Sequence, residues 1–252
     1  MAAPGILITL ALTLHAEHSA SAQDHAATLA GRLRYAEVWL PVGGDFGWPD
    51  PARLEGLAHA AAGARLGLVV HGDQDDQVAG LLRLDPGESA EILVELPATT
   101  APLVRAIGGP DAWHARVRLP SFDPAAAGTV VTSTSRSATV AGVAAAVAAR
   151  DAAGLDAGRH VVAASVPVSI GRTFSEAEAR ALRDPRFAGT GHRDSGLFGT
   201  YEQAQTQVLE LAAAGADVLR VTVAHEVDVA DLLAQVRSLV VGATPVLHAR
   251  RR

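Results

Sequence analysis

Residues 200–223 read TYEQAQTQVLELAAAGADVLRVTV, and two different periodicities meet inside them. Thr200 to Gln203 has the spacing of a capping box, a hydroxyl followed three residues later by an amide side chain. Ala204, Val208, Leu211 and Ala212 then recur three and four apart, which predicts a helix with one apolar face. After Ala214-Gly215-Ala216 the pattern changes, and Asp217–Val223 is a β-branched run of strand length. A helix that hands over directly to a buried strand is half of a parallel β/α unit, because parallel neighbours are joined only by crossovers.

Moving outward from this stretch, the unit repeats. Upstream, Val161–Ile170 is the most apolar run of the second half, and Ser175-Glu176-Ala177-Glu178 predicts a capped helix after it. Between that helix and Thr200, Asp184 to Gly199 reads as an extended loop holding Phe187, His192, Arg193 and Asp194, with too little periodicity for packed structure. Thr129–Thr132 leads into an alanine-rich helix at Thr139–Ala153. Downstream, Val229, Leu232, Leu233, Val236 and Leu239 mark a closing helix.

The first half offers strands at Ile6–Leu14, Tyr35–Leu40, Arg65–Val70, Glu91–Leu96 and Ala115–Leu119. A helix from about Asp24 carries Ala26, Leu29, Ala30 and Leu33 on one face. Asp50-Pro51 is an N-cap with proline at the first helical position, followed by Leu54, Leu57, Ala58 and Ala61. Val78, Leu81 and Leu82 belong to a helix ending at the Asp85-Pro86-Gly87 turn, and a short helix lies around Leu103–Ile107. Eight strands alternating with helices predict an α/β chain folded as one (β/α)8 TIM-type barrel over residues 1–252, with a basic tail from about residue 245. An open doubly wound sheet is the alternative, but no Gly-x-Gly-x-x-Gly turn follows any strand.

Composition narrows the chemistry. The 252 residues are 49% hydrophobic and 19% charged with a formal net charge of −6, enough apolar material for a large core and a poor match to nucleic acid. All basic residues are arginine, so a Schiff-base lysine and a phosphate-loop lysine are excluded. No cysteine is present, which removes disulfides, thiolate nucleophiles and cysteine-held metals. Ile6–Leu14 with Ser19-Ala20-Ser21-Ala22 has the outline of a secretory signal. Such signals carry basic residues ahead of the apolar run, whereas the first arginine here is Arg32. The run is therefore read as the first barrel strand, in a cytoplasmic protein. No other apolar run approaches the roughly 20 residues of a membrane span.

Five blocks in order resemble the luciferase-like flavin or deazaflavin oxidoreductases. They are Tyr35-Ala36-Glu37-Val38-Trp39-Leu40; Ala64-Arg65-Leu66-Gly67-Leu68-Val69; Leu81-Leu82-Arg83-Leu84-Asp85; Val166-Pro167-Val168 ahead of Ser175-Glu176-Ala177-Glu178; and Gly199-Thr200-Tyr201-Glu202-Gln203-Ala204 through Ala214-Gly215-Ala216-Asp217. The resemblance implies FMN or the deazaflavin coenzyme F420, hydride transfer or oxygen activation on a small organic substrate, and a homo- or heterodimer as a possible assembly. It departs from the family at residues 97–128, which are compressed, and at Glu95-Leu96-Pro97-Ala98, where the family is glycine-rich. Those departures motivate a second reading, a catalytically silent paralogue kept as a flavin-binding or scaffold partner. A phosphate-substrate isomerase or aldolase barrel is a third, weakened by the missing lysine.

Barrel active sites form where strands end. The candidates there are His15, Glu17 and His18 after strand one; Gly43, Gly44, Asp45 and Trp48 after strand two; and His71, Gly72 and Asp73 after strand three. His15 and His71 are the catalytic candidates, able to relay a proton near neutral pH or to donate to a ring carbonyl; solvated loop histidines look the same in sequence. Gly43 and Gly72 offer flexible backbone to a cofactor. Ser133, Thr134 and Ser135 supply hydroxyls before a helix N-terminus, suited to a phosphate or to plain capping. The resemblance implies a phosphate contact near this point. Gly199 and Thr200 form a second helix start, where Phe198 is read as core. Trp39 is expected to pack against the second helix. No metal site is expected, since neither His-x-x-x-His nor Glu-x-x-His occurs.

Overall fold

The computed structural model describes residues 8–72, 92–97, 117–187, 194–225 and 228–250. Among them are the parallel strands β1 (Thr9–Thr13), β2 (Glu37–Val42), β3 (Arg65–Val70), β4 (Leu93–Glu95), β5 (Val117–Leu119), β6 (Gly128–Thr132), β7 (Val161–Gly171), β8 (Leu197–Thr200) and β9 (Val218–Thr222). β1 to β7 pair in chain order, β7 pairs with β9, and β9 pairs with β1, which closes an eight-stranded TIM-type barrel. The helices are α1 (Ala20–Arg32), α2 (Pro51–Ala60), α3 (Arg136–Ala152), α4 (Phe174–Ala181), α5 (Tyr201–Ala214) and α6 (Val229–Arg250). Closure settles the choice against an open sheet. The expected helices around Val78–Leu82 and Leu103–Ile107, the Asp85-Pro86-Gly87 turn, and Asp73, His192 and Arg193 lie outside the described residues.

Strand side chains alternate between faces, and the barrel sorts them into two shells. Outward-facing Leu10, Leu12, Val38 and Leu40 join Ala26 and Ala30 of α1 and Leu232 and Val236 of α6 in the main core. Inward-facing Ala11, Trp39, Leu93, Val130, Ala163 and Val218 form a smaller inner cluster. Trp39 therefore lies inside the barrel and not against α2. The reason is parity with Glu37, together with Gly67 on β3: a Cβ at Gly67 would lie 2.5 Å from the indole, so the missing side chain makes room for the ring.

Local chemistry explains the element boundaries. Ser19 caps α1, Asp50 caps α2 and Ser135 caps α3, each accepting a backbone N–H through its side chain. Thr173, and not Ser175, caps α4, with Glu176 reaching back to the Arg172 N–H. The Thr200–Gln203 capping box is formed in both directions. In Ala214-Gly215-Ala216-Asp217, Gly215 takes the left-handed conformation that ends α5 (φ 99°). Asp217 then accepts from Arg150 of α3 at 2.7 Å and from the Val162 N–H at 2.8 Å, tying helix, strand and turn together.

The expected loop from Asp184 to Gly199 is partly structured. Pro185–Phe187 forms a 3₁₀ turn, and Leu197–Thr200 becomes β8, pairing with Val168–Gly171 beyond the barrel ring. Phe187 and Phe198 are buried with Ala177 and Ala181 beneath α4, so Phe198 is core as expected. Gln207 clamps the backbone N–H and C=O of Phe198 at 2.8 and 2.9 Å, which fixes a strand too short to hold itself.

His160 gives the fold a pH dependence. It is fully buried, and its Nδ1 faces the Ala126 carbonyl at 3.0 Å while Nε2 faces the Thr129 hydroxyl at 2.9 Å. A carbonyl only accepts, so Nδ1 carries the proton and Nε2 accepts from Thr129. Burial lowers its pKa from the ordinary 6.5, with the Ala126 hydrogen bond acting in the opposite direction. The unfolded chain thus binds this proton first as pH falls, and stability drops progressively below about pH 6.5. Melting curves at pH 7.5, 6.5 and 5.5 are expected to show a falling midpoint, with a shallower fall in His160→Asn. Equal slopes in the two proteins would assign the loss to other groups.

Candidate functional site at the C-terminal mouth of the barrel

The strand ends bring the candidate residues to one rim. Beyond β1, His15 is half-buried, with its ring 5.0 Å from that of His18. Burial lowers the His15 pKa; Arg186 and His18 push the same way, against Glu17 and Asp184. His18 itself is spent on structure. Its Nε2 meets the Ala224 carbonyl at 2.8 Å and therefore donates, joining the loops beyond β1 and β9.

The loop after β2 is a tight knot built on Gly43, Gly44 and Gly47, all with positive φ, and closed by the Gly43 N–H on the Gly47 carbonyl at 2.7 Å. It packs on the loop after β3. The Phe46 ring sits edge-on to His71 at 5.0 Å, and Gly72, also at positive φ, stands beside Gly44. His71 lies at the surface of the mouth. Partial burial lowers its pKa; Glu95 works against this and Arg220 with it. His15 and His71 are thus both neutral-favouring groups on the same rim, with β2 between their strands.

The other candidates gather beyond β6 and β8. The Ser135 hydroxyl accepts the Ala138 N–H at 3.2 Å, and Ser133 accepts weakly from the Ser135 N–H at 3.5 Å, with Thr134 exposed between them. Ser137 donates to the Asp194 carboxylate at 3.1 Å, and Arg136 lies 3.9 Å from the same group. The start of α3 therefore already holds an oxyanion, supplied by the chain itself. Arg136 also pairs with Glu210 of α5 at 3.2 Å, which links this corner to the helix that Gly199 and Thr200 introduce. Thr200 is engaged with Gln203 in its capping box.

Below the rim lies a charged stack that the sequence reading did not find. Glu37 accepts from Arg118 at 2.5 and 2.8 Å, from Arg65 at 2.9 Å and from the Trp39 indole N–H at 3.0 Å. The guanidinium groups of Arg118 and Arg220 lie 5.1 and 5.2 Å from the Trp39 ring centroid, within cation–π range. Arg220 also pairs with Glu95 at the end of β4 and donates to Ser165 at 3.2 Å. The buried Thr13 hydroxyl near the top of β1 has no hydrogen-bond partner among the described residues. The available signal was parity: Glu37, Glu95, Arg118 and Arg220 all occupy inward positions of apolar strands.

A pocket of about 200 Å³ opens between the loops after β1 and β2. Among the described residues no three histidines or carboxylates converge as a metal site, and no helix is long and apolar enough to cross a membrane.

No protein-family model matches the sequence, and no curated protein matches it either. Solved structures do match in fold. A coenzyme F420-dependent tetrahydromethanopterin reductase from Methanopyrus kandleri superimposes with a TM-score of 0.71 at 12% identity, covering 94% of this chain and 99% of that one. The monooxygenase RslO1 from Streptomyces bottropensis gives 0.62 at 16% identity over 93% and 99% of the two chains. The oxygenating constituent of 3,6-diketocamphane monooxygenase from Pseudomonas putida, a type II Baeyer-Villiger enzyme in complex with FMN, gives 0.63 at 12% over 94% and 98%. These similarities establish the fold.

Proposed function

We propose that the chain is a luciferase-like oxidoreductase that binds FMN or coenzyme F420 across the C-terminal mouth and acts on a small organic substrate. The observation that carries this reading is the placement of two neutral-favouring histidines, His15 and His71, at strand ends on the rim of a barrel whose fold neighbours include an F420-dependent reductase and an FMN-bound monooxygenase. A bound flavin or deazaflavin would supply the hydride or, for FMN, the activation of oxygen. The protein's part is to orient the ring, exclude water and move protons through His15 or His71.

The donor set after β6 fits the phosphate of such a cofactor. Ser133, Ser135 and Arg136 stand at the positive end of α3, and the hydrogen bond that Ser137 gives the Asp194 carboxylate there supports this placement. Thr134 belongs to the same turn, and Gly199, Thr200, Gly43 and Gly72, at the ends of other strands, are the further backbone and hydroxyl candidates for the cofactor. The same carboxylate also favours the second reading, a silent paralogue, because it competes with any phosphate for the site.

Titrating the protein with FMN and with F420 separately, followed by cofactor fluorescence, tests the proposal. One of the two is expected to bind saturably, one per chain. Asp194→Asn is expected to tighten that binding about threefold to tenfold, by removing a like charge at a partly exposed helix start, where such effects reach roughly 1 kcal/mol. No binding of either cofactor by wild type and variant would overturn the reading.

A further inference from the structure

We propose that the pocket between the β1–α1 and β2–α2 connections binds one uncharged single-ring organic molecule bearing a hydrogen-bond acceptor. Its identity as the substrate rests on the oxidoreductase reading; the binding itself does not. The first argument is size. The pocket, open to solvent on one side, offers about 200 Å³, and an apolar protein cavity of about 150 Å³ is large enough for benzene. A six-membered ring with one or two further heavy atoms fills the space.

The second argument is the walls. Trp48, Phe46, Pro41 and Leu40 form the apolar sides, and Gln23 and Arg53 the polar one. Flat aromatic and proline faces suit a ring better than a flexible chain, since the ring loses little conformational entropy on binding.

Charge supplies the third argument. Arg53 Nη1 is paired with Asp24, and Nη2 donates to Gln23 at 2.9 Å and to the Ala20 carbonyl at 3.3 Å. Its charge is already matched. An anionic ligand would have to contend with Asp24, and a cationic one would face the guanidinium. Among the described residues those bonds use the two terminal nitrogens, leaving the Arg53 Nε–H to donate to a carbonyl or ether oxygen. Gln23 is committed at both ends, since its amide N–H donates to the His15 carbonyl at 3.1 Å.

Position links the pocket to the proposed chemistry. Ala16 lines it directly after His15, and Phe46 lines it while touching His71. A molecule held there lies against the immediate neighbours of both candidate proton-handling residues, Ala16 beside His15 and Phe46 beside His71.

The test uses the full chain and three matched probes: cyclohexanone, cyclohexanecarboxylate and cyclohexylammonium. Binding is measured by saturation-transfer NMR and calorimetry. Cyclohexanone is expected to bind at least tenfold more tightly than either charged probe. Ala16→Leu, which fills the pocket without removing a hydrogen bond, is expected to weaken it at least tenfold; Trp48→Ala, which removes a wall, provides the same check should the first variant fail to fold. Failure of cyclohexanone to bind, equal binding of the charged probes, or unchanged affinity in the folded variant would overturn the proposal. Titration with FMN and F420 in the same series separates the two readings. Cyclohexanone binding without either cofactor leaves the pocket standing and removes the oxidoreductase, and cofactor binding without any ring ligand does the reverse.

Discussion

Glu37→Ala is expected to destabilise the barrel by about 3–5 kcal/mol, the usual cost of leaving one partner of a buried ion pair without its counter-charge. Against a typical domain stability of about 5–15 kcal/mol this is a large fraction. Glu37 and Arg118 are each 1% exposed, and the carboxylate takes two bonds from Arg118, one from Arg65 and one from Trp39. Alanine removes all four and strands Arg118, whose Nε is already buried without a hydrogen-bond partner among the described residues. Burial alone would raise the Glu37 pKa, but Arg118, Trp39 and Arg65 outweigh it and hold the group below the ordinary 4.5. The folded chain thus keeps this stabilisation above about pH 4.5 and loses it as pH falls through the lowered value. Urea unfolding at pH 7 reads the loss. The paired replacement Glu37→Met with Arg118→Met is expected to recover most of it, because apolar packing often matches a buried ion pair. A single variant that costs under about 1 kcal/mol would show that water reaches the pair.

How much of this was legible in the sequence follows from range. The capping box at Thr200, the αL glycine at Gly215 and the switch from helical to strand periodicity are local, and they gave the β/α repeat and all eight ring strands. β8 was hidden because Leu197–Thr200 is four residues among glycines, and it is held from a distance by Gln207. Trp39 was misplaced for a related reason. Its inward parity can be read from β2, but the space it occupies is created by Gly67 on another strand and bounded by Arg118 and Arg220 from two more. The histidines were identifiable by their place at strand ends. Which of them is free for chemistry was not, because the tie from His18 to Ala224 spans most of the chain. Likewise Asp194 read as part of an unstructured loop, whereas folding sets it against Ser137 and Arg136.

Once a cofactor and substrate are in hand, His71→Ala is expected to lower kcat/KM by about 10²–10⁴-fold, the usual contribution of a positioned acid–base group. The geometry favours His71 over His15 for this role. His71 is exposed on the rim, flanked by Phe46 of the pocket and influenced by the Glu95–Arg220 pair beneath. His15 is partly enclosed, and its carbonyl is tied to Gln23. A shifted titration provides the readout that a structural role would not move. Burial holds the His71 pKa below 6.5, so the residue is neutral and able to accept a proton at pH 7, and protonation removes that ability as pH falls. The pH profile of kcat/KM is therefore expected to be level above about pH 6.5 and to fall on the acid side with a midpoint below 6.5. In His71→Ala the acid limb attributable to this group should vanish, leaving a low and flatter profile, while cofactor affinity changes little. A variant that keeps the acid limb unaltered moves the role to His15, and one that loses cofactor binding in step with activity makes His71 a binding residue instead.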